Sequence, residues 1–362
     1  MILIITSKPD GHIGAVTRHL DAAGAPWVRL NTEDIAQNLD LTIEPALGTG
    51  SLHIKDSGRK FNLQDVQAVW YRKPETPQVG HFQLDAGSLD YVQSEFREIL
   101  DNLYALLPHV PWINNPFHAR IAHRKMLQLK VAAKVGFRVP ETLVTNSPDA
   151  ALRFAAKSNC DLAIKSLGAL SAAQGTGTQT SYGLFTRRVT RAELLAVKDK
   201  IANLSTTFQP FIPKACELRV TCVGDRIFTC RIQARPGDLT ADDYRFDTQN
   251  LTHTATEAPN LHSRIHDYMR EFNLNFACFD FIVPLKGEPV FLEANANGQF
   301  AWVENLTGLP IAKAIADELM SHTNPPAHPP AELTAKDIEF LSASLSNEDF
   351  RRFCRNRNHA RH

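Results

Sequence analysis

Apolar residues recur along the chain with two different periods, and the changes between them mark out its parts. The unbroken run Ile2 to Thr6 reads as a strand, a Gly-containing turn follows, and Thr17 to Ala22 carries a helical pattern. Ala68 to Tyr71 reads as a later strand, so the first segment alternates in the manner of an α/β domain. Leu89, Val92, Phe96, Leu100, Leu103 and Leu107 then recur at steps of three and four, predicting a helix with one apolar stripe facing a core. Pro108, Pro111 and Pro116 close this domain.

From Arg120 to Val135 the pattern is helical again and stops at Gly136, a suitable C′ residue, before Pro140 opens an extended stretch. A short α/β lobe follows, with a helix capped by Ser147 and begun by Pro148, a strand Asp161 to Lys165, and a helix opened by the capping box Thr190 to Glu193. Between strand and helix, residues 166–181 are Gly, Ser, Thr and Ala-rich, too small and polar for a core, which predicts a mobile loop. Antiparallel strands come next. They start with Phe208 to Ile212, continue as a hairpin turning at Gly224-Asp225, and end with a second hairpin that joins ACFDFIV to PVFLE. A helix near Pro310 sets Ile311, Ile315 and Leu319 on one face, TNPPAHPP forms a stiff linker, and the tail is basic. The expected boundaries are 1–115 for the first domain, 116–203 for a small lobe, 204–322 for a larger one and 323–362 for linker and tail.

Composition narrows the class without naming it. A chain of 362 residues exceeds one ordinary core, so two or three lobes are expected. Hydrophobic residues at 43% and charged residues at 22% fit a soluble globular protein, and the apolar start MILIIT is too short for a secretory segment, which points to the cytoplasm. With 39 basic and 39 acidic residues, nothing global draws the chain to nucleic acid or to a membrane. The six cysteines form no CxxC pair and read as buried free thiols.

Chemistry concentrates in the second hairpin. If it turns symmetrically about Lys286-Gly287, Asp280 stands opposite Glu293, and opposed residues have Cβ atoms roughly 4.5–5.5 Å apart. From that separation two carboxylates can share cations at oxygen distances of about 2.0–2.1 Å. Asn295, two residues on, points to the same face. Opposed like charges repel, and a Mg2+ pair bridging phosphates resolves the conflict. The alternative is a solvated sheet face; Phe279, Phe281, Phe291 and Leu292 argue against it, because acids inside apolar strands need a charged partner.

These segments, with VWYRKP (69–74), WINNP (112–116), FQPFIPKACELRV (208–220), DDYRFD (242–247) and FLEANANGQFAWVE (291–304), resemble the ATP-grasp superfamily, and most closely the graspetide (microviridin-type) peptide maturases. The resemblance covers about the first 320 residues. It implies an ATP-grasp α/β fold preceded by a pre-ATP-grasp domain, with the nucleotide between two lobes. Asp280, Glu293 and Asn295 would hold magnesium, two ions in all, while Lys125 and Lys165 would hold ATP phosphates. Each lysine alone also reads as a surface residue; Lys165 is favoured because it ends an apolar strand just before the Gly-rich loop.

Gln209, Phe211 and Ile212 would form the hinge that reads adenine, with backbone groups and apolar walls from the last two. Glu217 would accept from ribose hydroxyls and Arg219, on the same face, would reach phosphates; either could instead make a cross-strand ion pair. Arg245 would face the transferred phosphoryl group, with a salt bridge to Asp243 or Asp247 as the alternative. The family commonly has proline at Ala296 and tryptophan at Phe300, so the substrate side is where this chain departs. Some ATP-grasp ligases also carry an arginine where Cys278 stands, a load that falls here to Arg245.

The implied reaction is phosphorylation of a carboxylate by Mg-ATP, then attack of a hydroxyl or amine on the acyl phosphate, both partners lying on one ribosomal precursor peptide that carries a leader segment. A ligase that adds a free amine to a protein or small acid, a kinase, and a nucleotide sensor are the alternatives. A homodimer is left open.

Overall fold

The computed structural model describes residues 1–165, 186–234 and 251–323. Loop 166–181, Arg245 and the basic tail, all singled out above, lie outside the described residues. Two compact units emerge, one built on Met1–Pro9 and Ala25–Trp112, the other on Asp10–Gly24 and Ile113–Glu318.

In the first unit the strands β1 (Ile2–Thr6), β2 (Trp27–Asn31), β6 (Ala68–Tyr71) and the short β7 (Trp112–Ile113) form a sheet in the order β2-β1-β6-β7. The central β1 pairs in parallel with both β2 and β6, and all five of its residues are buried, as an unbroken apolar run in a parallel sheet should be. Between β2 and β6 the chain makes an antiparallel meander, β3 (Leu39–Glu44), β4 (Thr49–Ile54) and β5 (Arg59–Asn62), which its weak alternation did not announce. Helix α3 (Ala86–Ala105) forms where the apolar stripe predicted it and is capped by Asp85, whose carboxylate accepts from the Ser88 N–H. Its stripe is buried only toward the carboxyl end, at Leu100, Leu103 and Tyr104; Leu89, Val92 and Phe96 remain half-exposed.

The second unit holds two antiparallel sheets. The smaller has the order β10-β9-β11-β8, from β8 (Leu143–Thr145), β9 (Leu162–Lys165), β10 (Arg187–Val189) and β11 (Thr206–Pro210). Both predicted helix starts are present: Ser147 Oγ accepts from the Ala150 N–H at 3.3 Å, and Thr190 and Glu193 cap each other reciprocally. The strand expected to open the larger lobe, β11, instead pairs with β8 and β9. Phe208 fills the small core with Ala151, Phe154, Leu162 and Leu194, and this burial decides which sheet the strand joins.

The larger sheet runs β14-β13-β12-β15-β16, from β12 (Lys214–Val223), β13 (Arg226–Ala234), β14 (Leu251–Thr256), β15 (Phe276–Pro284) and β16 (Val290–Asn295). One face packs Phe279, Phe281 and Phe291 against Phe137 and against Tyr268 of the helix Pro259–Glu271, with ring centroids 5.2–6.5 Å apart. Gly224-Asp225 is a two-residue hairpin as expected, with Gly224 at φ +54°.

The second hairpin pairs Asp280 with Glu293 as the symmetric turn predicts, but for a less simple reason. Nearer the turn the register is Phe281 with Phe291 and Ile282 with Val290, one residue out of step, and a bulge at Leu292 restores it. Strict alternation would put Phe291 and Glu293 on one face. The extra residue lets Phe291 and Ala294 both enter the core while Glu293 and Asn295 turn to the other side.

Four of the described cysteines, Cys216, Cys222, Cys230 and Cys278, are buried on these strands, and Cys160 is exposed. Burial pushes the Cys222 thiol up to about 12 and that of Cys230 up to about 11, so neither forms thiolate at lower pH. Native protein exposed to a thiol reagent at a pH of about 8 is therefore expected to modify Cys160 and to leave Cys222 and Cys230 unmodified until denaturant is added. Peptide mapping of the labelled chain checks this.

Candidate active site

The face of the large sheet opposite the aromatic core carries the predicted chemistry. Asp280 pairs with Arg219 on β12 and with Glu293 on β16, and Cys278 pairs with Asn295, so Asp280, Glu293, Asn295 and Arg219 form one contiguous patch. Arg219 does not stand ready for phosphates as expected. Its Nη1 donates to both carboxylate oxygens of Asp280, at 2.9 and 2.8 Å, and its Nη2 donates to the Gln299 carbonyl at 3.0 Å. The pair is nearly out of solvent, with side chains 6% and 14% exposed. The cross-strand ion pair considered for this position is what forms, because Arg219 and Asp280 are direct neighbours in register.

Glu293 has its own cation. Lys125, the first residue of helix α5 (Lys125–Lys134; helices α1, α2 and α4 span His12–Ala22, Ile35–Asn38 and Pro116–Ala122), places Nζ 3.7 Å from Glu293 Oε2. The repulsion expected between the two opposed acids is thus offset by Arg219 and Lys125. His123, not singled out from the sequence, also lies in the field of Glu293; burial lowers its pKa, with Glu293 acting in the opposite sense.

The donor set suits a hard cation. Two carboxylates and an amide oxygen fit Mg2+, which takes one or two protein carboxylates and completes an octahedron with water and phosphate oxygens. Among the described residues no three His, Cys, Asp or Glu side chains converge. The contact of Arg219 Nη1 with both oxygens of Asp280 does not preclude ligation, since a carboxylate offers about four lone-pair sites.

Two buried amides that sequence reasoning missed hold the backbone around Glu293 and Asn295. β16 is an edge strand, so its outward backbone groups need partners. Gln128 of α5 donates to the Ala294 carbonyl at 2.7 Å and accepts from the Ala294 N–H at 3.1 Å, between the two ligands, and also donates to the Ala122 carbonyl. Asn114 donates to the carbonyls of Phe276 and Ala296 at 2.7 Å and accepts from the N–H groups of Asn275 and Phe276. The Phe291 N–H goes to the Arg138 carbonyl. An amide in a mostly apolar helix, as at Gln128, was the available signal. Gly298 completes the approach, because a Cβ there would collide with Cys278 and lie 3.1 Å from Arg219 Nη2.

The other predicted residues sit elsewhere. Lys165 ends β9 opposite Thr207, and Gln209 is buried on β11, donating to Thr142 Oγ1 at 3.0 Å. Phe211 spends its N–H on the Asp161 carbonyl, and Arg188 stacks over its ring at 4.5 Å, so as an adenine reader it would offer its carbonyl and not its N–H. Ile212 follows it, half-buried. Glu217 forms a short ion pair, 2.5 Å, with Lys214.

An N-terminal sheet, a small and a large antiparallel sheet and an acid pair on the latter define an ATP-grasp enzyme. Residues 122–319 match the RimK-like ATP-grasp domain and residues 1–120 match the MvdD pre-ATP-grasp domain, and the chain belongs to this family of ATP-grasp ligases. The macrocyclase MdnC of Microcystis aeruginosa MRC, bound with precursor peptide MdnA, is 28% identical with a TM-score of 0.78, covering 89% of this chain and 99% of that one. A RiPP-associated ATP-grasp ligase of Chryseobacterium gregarium, in complex with ADP and a leader and core peptide, is 30% identical with a TM-score of 0.78, over 88% of this chain and 96% of that one. The macrocyclase MdnB of Microcystis aeruginosa MRC is 29% identical with a TM-score of 0.71, over 88% and 98%. A comparison with curated protein sequences gave no match. No helix among the described residues is long and apolar enough to cross a membrane.

Replacing Gln128 by Leu leaves the Ala294 N–H and the Ala294 and Ala122 carbonyls without these bonds, and each buried unpaired group costs about 1–3 kcal/mol. The variant is expected to melt several degrees below the parent in a thermal unfolding scan; an unchanged midpoint would show that the amide does not hold the strand.

Proposed function

We propose that this ligase activates Asp or Glu side chains of a ribosomal precursor peptide as acyl phosphates and closes them onto Ser, Thr or Lys side chains of the same peptide, forming ester or amide macrocycles. The observation that carries the reading is the carboxylate and amide patch of Asp280, Glu293 and Asn295 on a sheet whose relatives include macrocyclases. A carboxylate is a poor acyl donor until it is phosphorylated. The protein's part is then positioning and charge neutralisation. Asp280, Glu293 and Asn295 would hold two Mg2+ ions, which supply Lewis-acid neutralisation of the phosphates. Lys125 and Lys165 would bind phosphate oxygens, with Lys125 released from Glu293 as the metal arrives. Arg219 orients Asp280, and Arg245 is assigned to the transferred phosphoryl group. Gln209, Phe211, Ile212 and Glu217 remain the proposed nucleoside contacts. The peptide's leader segment is expected to bind outside this patch.

Glu293→Gln is the cleaner ligand variant, because Asp280→Asn also strips Arg219 of its partner and breaking a buried pair costs about 3–5 kcal/mol. Both are expected to lower ADP release at saturating Mg2+ by about a hundredfold or more, Glu293→Gln with its melting point unchanged. Near-wild-type turnover in either would remove the metal assignment.

Product mass tests the substrate class. Incubated with Mg-ATP and the peptide encoded beside it, the enzyme should take the mass of one water from the peptide for each ATP consumed. A mass gain of an amine would assign a free-amine ligase, and a gain of phosphate a kinase.

A further inference from the structure

We propose that His12, oriented by Asp10, is the general base that deprotonates the attacking nucleophile; the inference rests on the macrocyclase reading above. His12 opens α1, and its Nδ1 lies 2.9 Å from Asp10 Oδ1, which also accepts the His12 backbone N–H at 3.1 Å. The Asp10 side chain is buried and acts as acceptor from Nδ1, so in the neutral imidazole the lone pair lies on Nε2. Nε2 is fully buried and has no hydrogen-bond partner among the described residues. A buried acceptor without a donor is unfavourable, and a residue present only for packing would not need one. Tyr268 Oη is likewise unpartnered, but it sits among Phe137, Phe272, Phe279 and Phe291 with no carboxylate to orient it.

Location supports the assignment. The imidazole packs edge-on against Phe300, with centroids 5.0 Å apart. Phe300 follows Gln299, whose carbonyl is held by the same Arg219 guanidinium that grips Asp280. The segment 295–300 therefore carries a candidate metal ligand at one end and the support of His12 at the other. Helix α1 is fixed there, because Arg18 donates to Glu304 Oε1 at 3.1 Å while Glu304 Oε2 accepts the Ala312 N–H. The imidazole side chain is 14% exposed, although Nε2 itself has almost no exposed surface, so a nucleophile must be seated against the ring to meet it.

In the transfer step Nε2 takes the proton of a Ser or Thr hydroxyl, or one proton of a Lys side chain that attacks as the neutral amine. The oxygen or nitrogen lone pair forms the C–O or C–N bond at the acyl carbon. The bond from that carbon to the phosphate oxygen breaks, its electrons leave with phosphate, and the imidazolium, held by Asp10, passes its proton on to the phosphate.

The test separates activation from transfer. Hydroxylamine attacks an acyl phosphate without help from a protein base, so His12→Ala should keep ATP-dependent peptide hydroxamate formation within about twofold of wild type. Cyclisation, read as loss of water by mass spectrometry, should fall by about a hundredfold or more and be partly restored by added imidazole. Asp10→Asn should show the same split. Equal loss of hydroxamate and cyclic product, or cyclisation unchanged in His12→Ala, would overturn the base. Wild-type enzyme that yields hydroxamate but never a cyclic product would overturn the macrocyclase reading, and the base with it.

Discussion

The ion pair of Arg219 and Asp280 is the interaction on which the site depends. It joins neighbouring central strands of the large sheet on the face away from the aromatic core, where a single buried carboxylate would be unstable without a cation. One guanidinium does two things: it fixes the orientation of Asp280 and ties the Gln299 carbonyl to the sheet. With Lys125 beside Glu293, the acid pair is neutralised by the protein itself. A folded chain can then hold two opposed carboxylates by its own cations, of which Lys125 is the more exposed.

Edge position is the second constraint. β16 carries Glu293 and Asn295 yet has a neighbouring strand on one side only, and a free edge would let these side chains drift and invite pairing with other chains. Gln128, Asn114 and the Arg138 carbonyl satisfy the outward groups in place of a further strand. A side-chain amide gives both a donor and an acceptor at a single residue, which a strand cannot do without covering the site. The edge that bears Glu293 and Asn295 is thereby tied down at its backbone while those two side chains stay half-exposed. This is the combination that the proposed metal and nucleotide site would need.

Much of this was legible in the sequence, and the legible parts share a cause: they depend on local spacing. The capping residues Ser147 and Thr190, the Gly224-Asp225 turn and the apolar run of β1 follow from neighbours a few residues apart, where chain geometry fixes the outcome; the opposition of Asp280 and Glu293 was also read correctly, although a bulge that the sequence did not show is what restores it. Resemblance to a known family extended that reading to the fold class, which the domain matches confirm. What the sequence alone determined was therefore the kind of elements, the acid pair and the family.

Only the tertiary structure decided how those elements share one another. The bulge at Leu292 is invisible in the alternation, because it is set by Phe291 seeking the core while Glu293 leaves it. Whether β11 joins the small or the large sheet depended on Phe208 finding Ala151 and Phe154, residues some fifty positions away. Arg219 turned from phosphates to Asp280, and Gln128 and Asn114 came to the edge strand from 166 and 182 residues away in the chain. The physical reason is the same in each case. A polar side chain in a folded interior takes whichever partner removes the largest desolvation penalty, and that partner is chosen by the assembled neighbourhood, not by distance along the sequence.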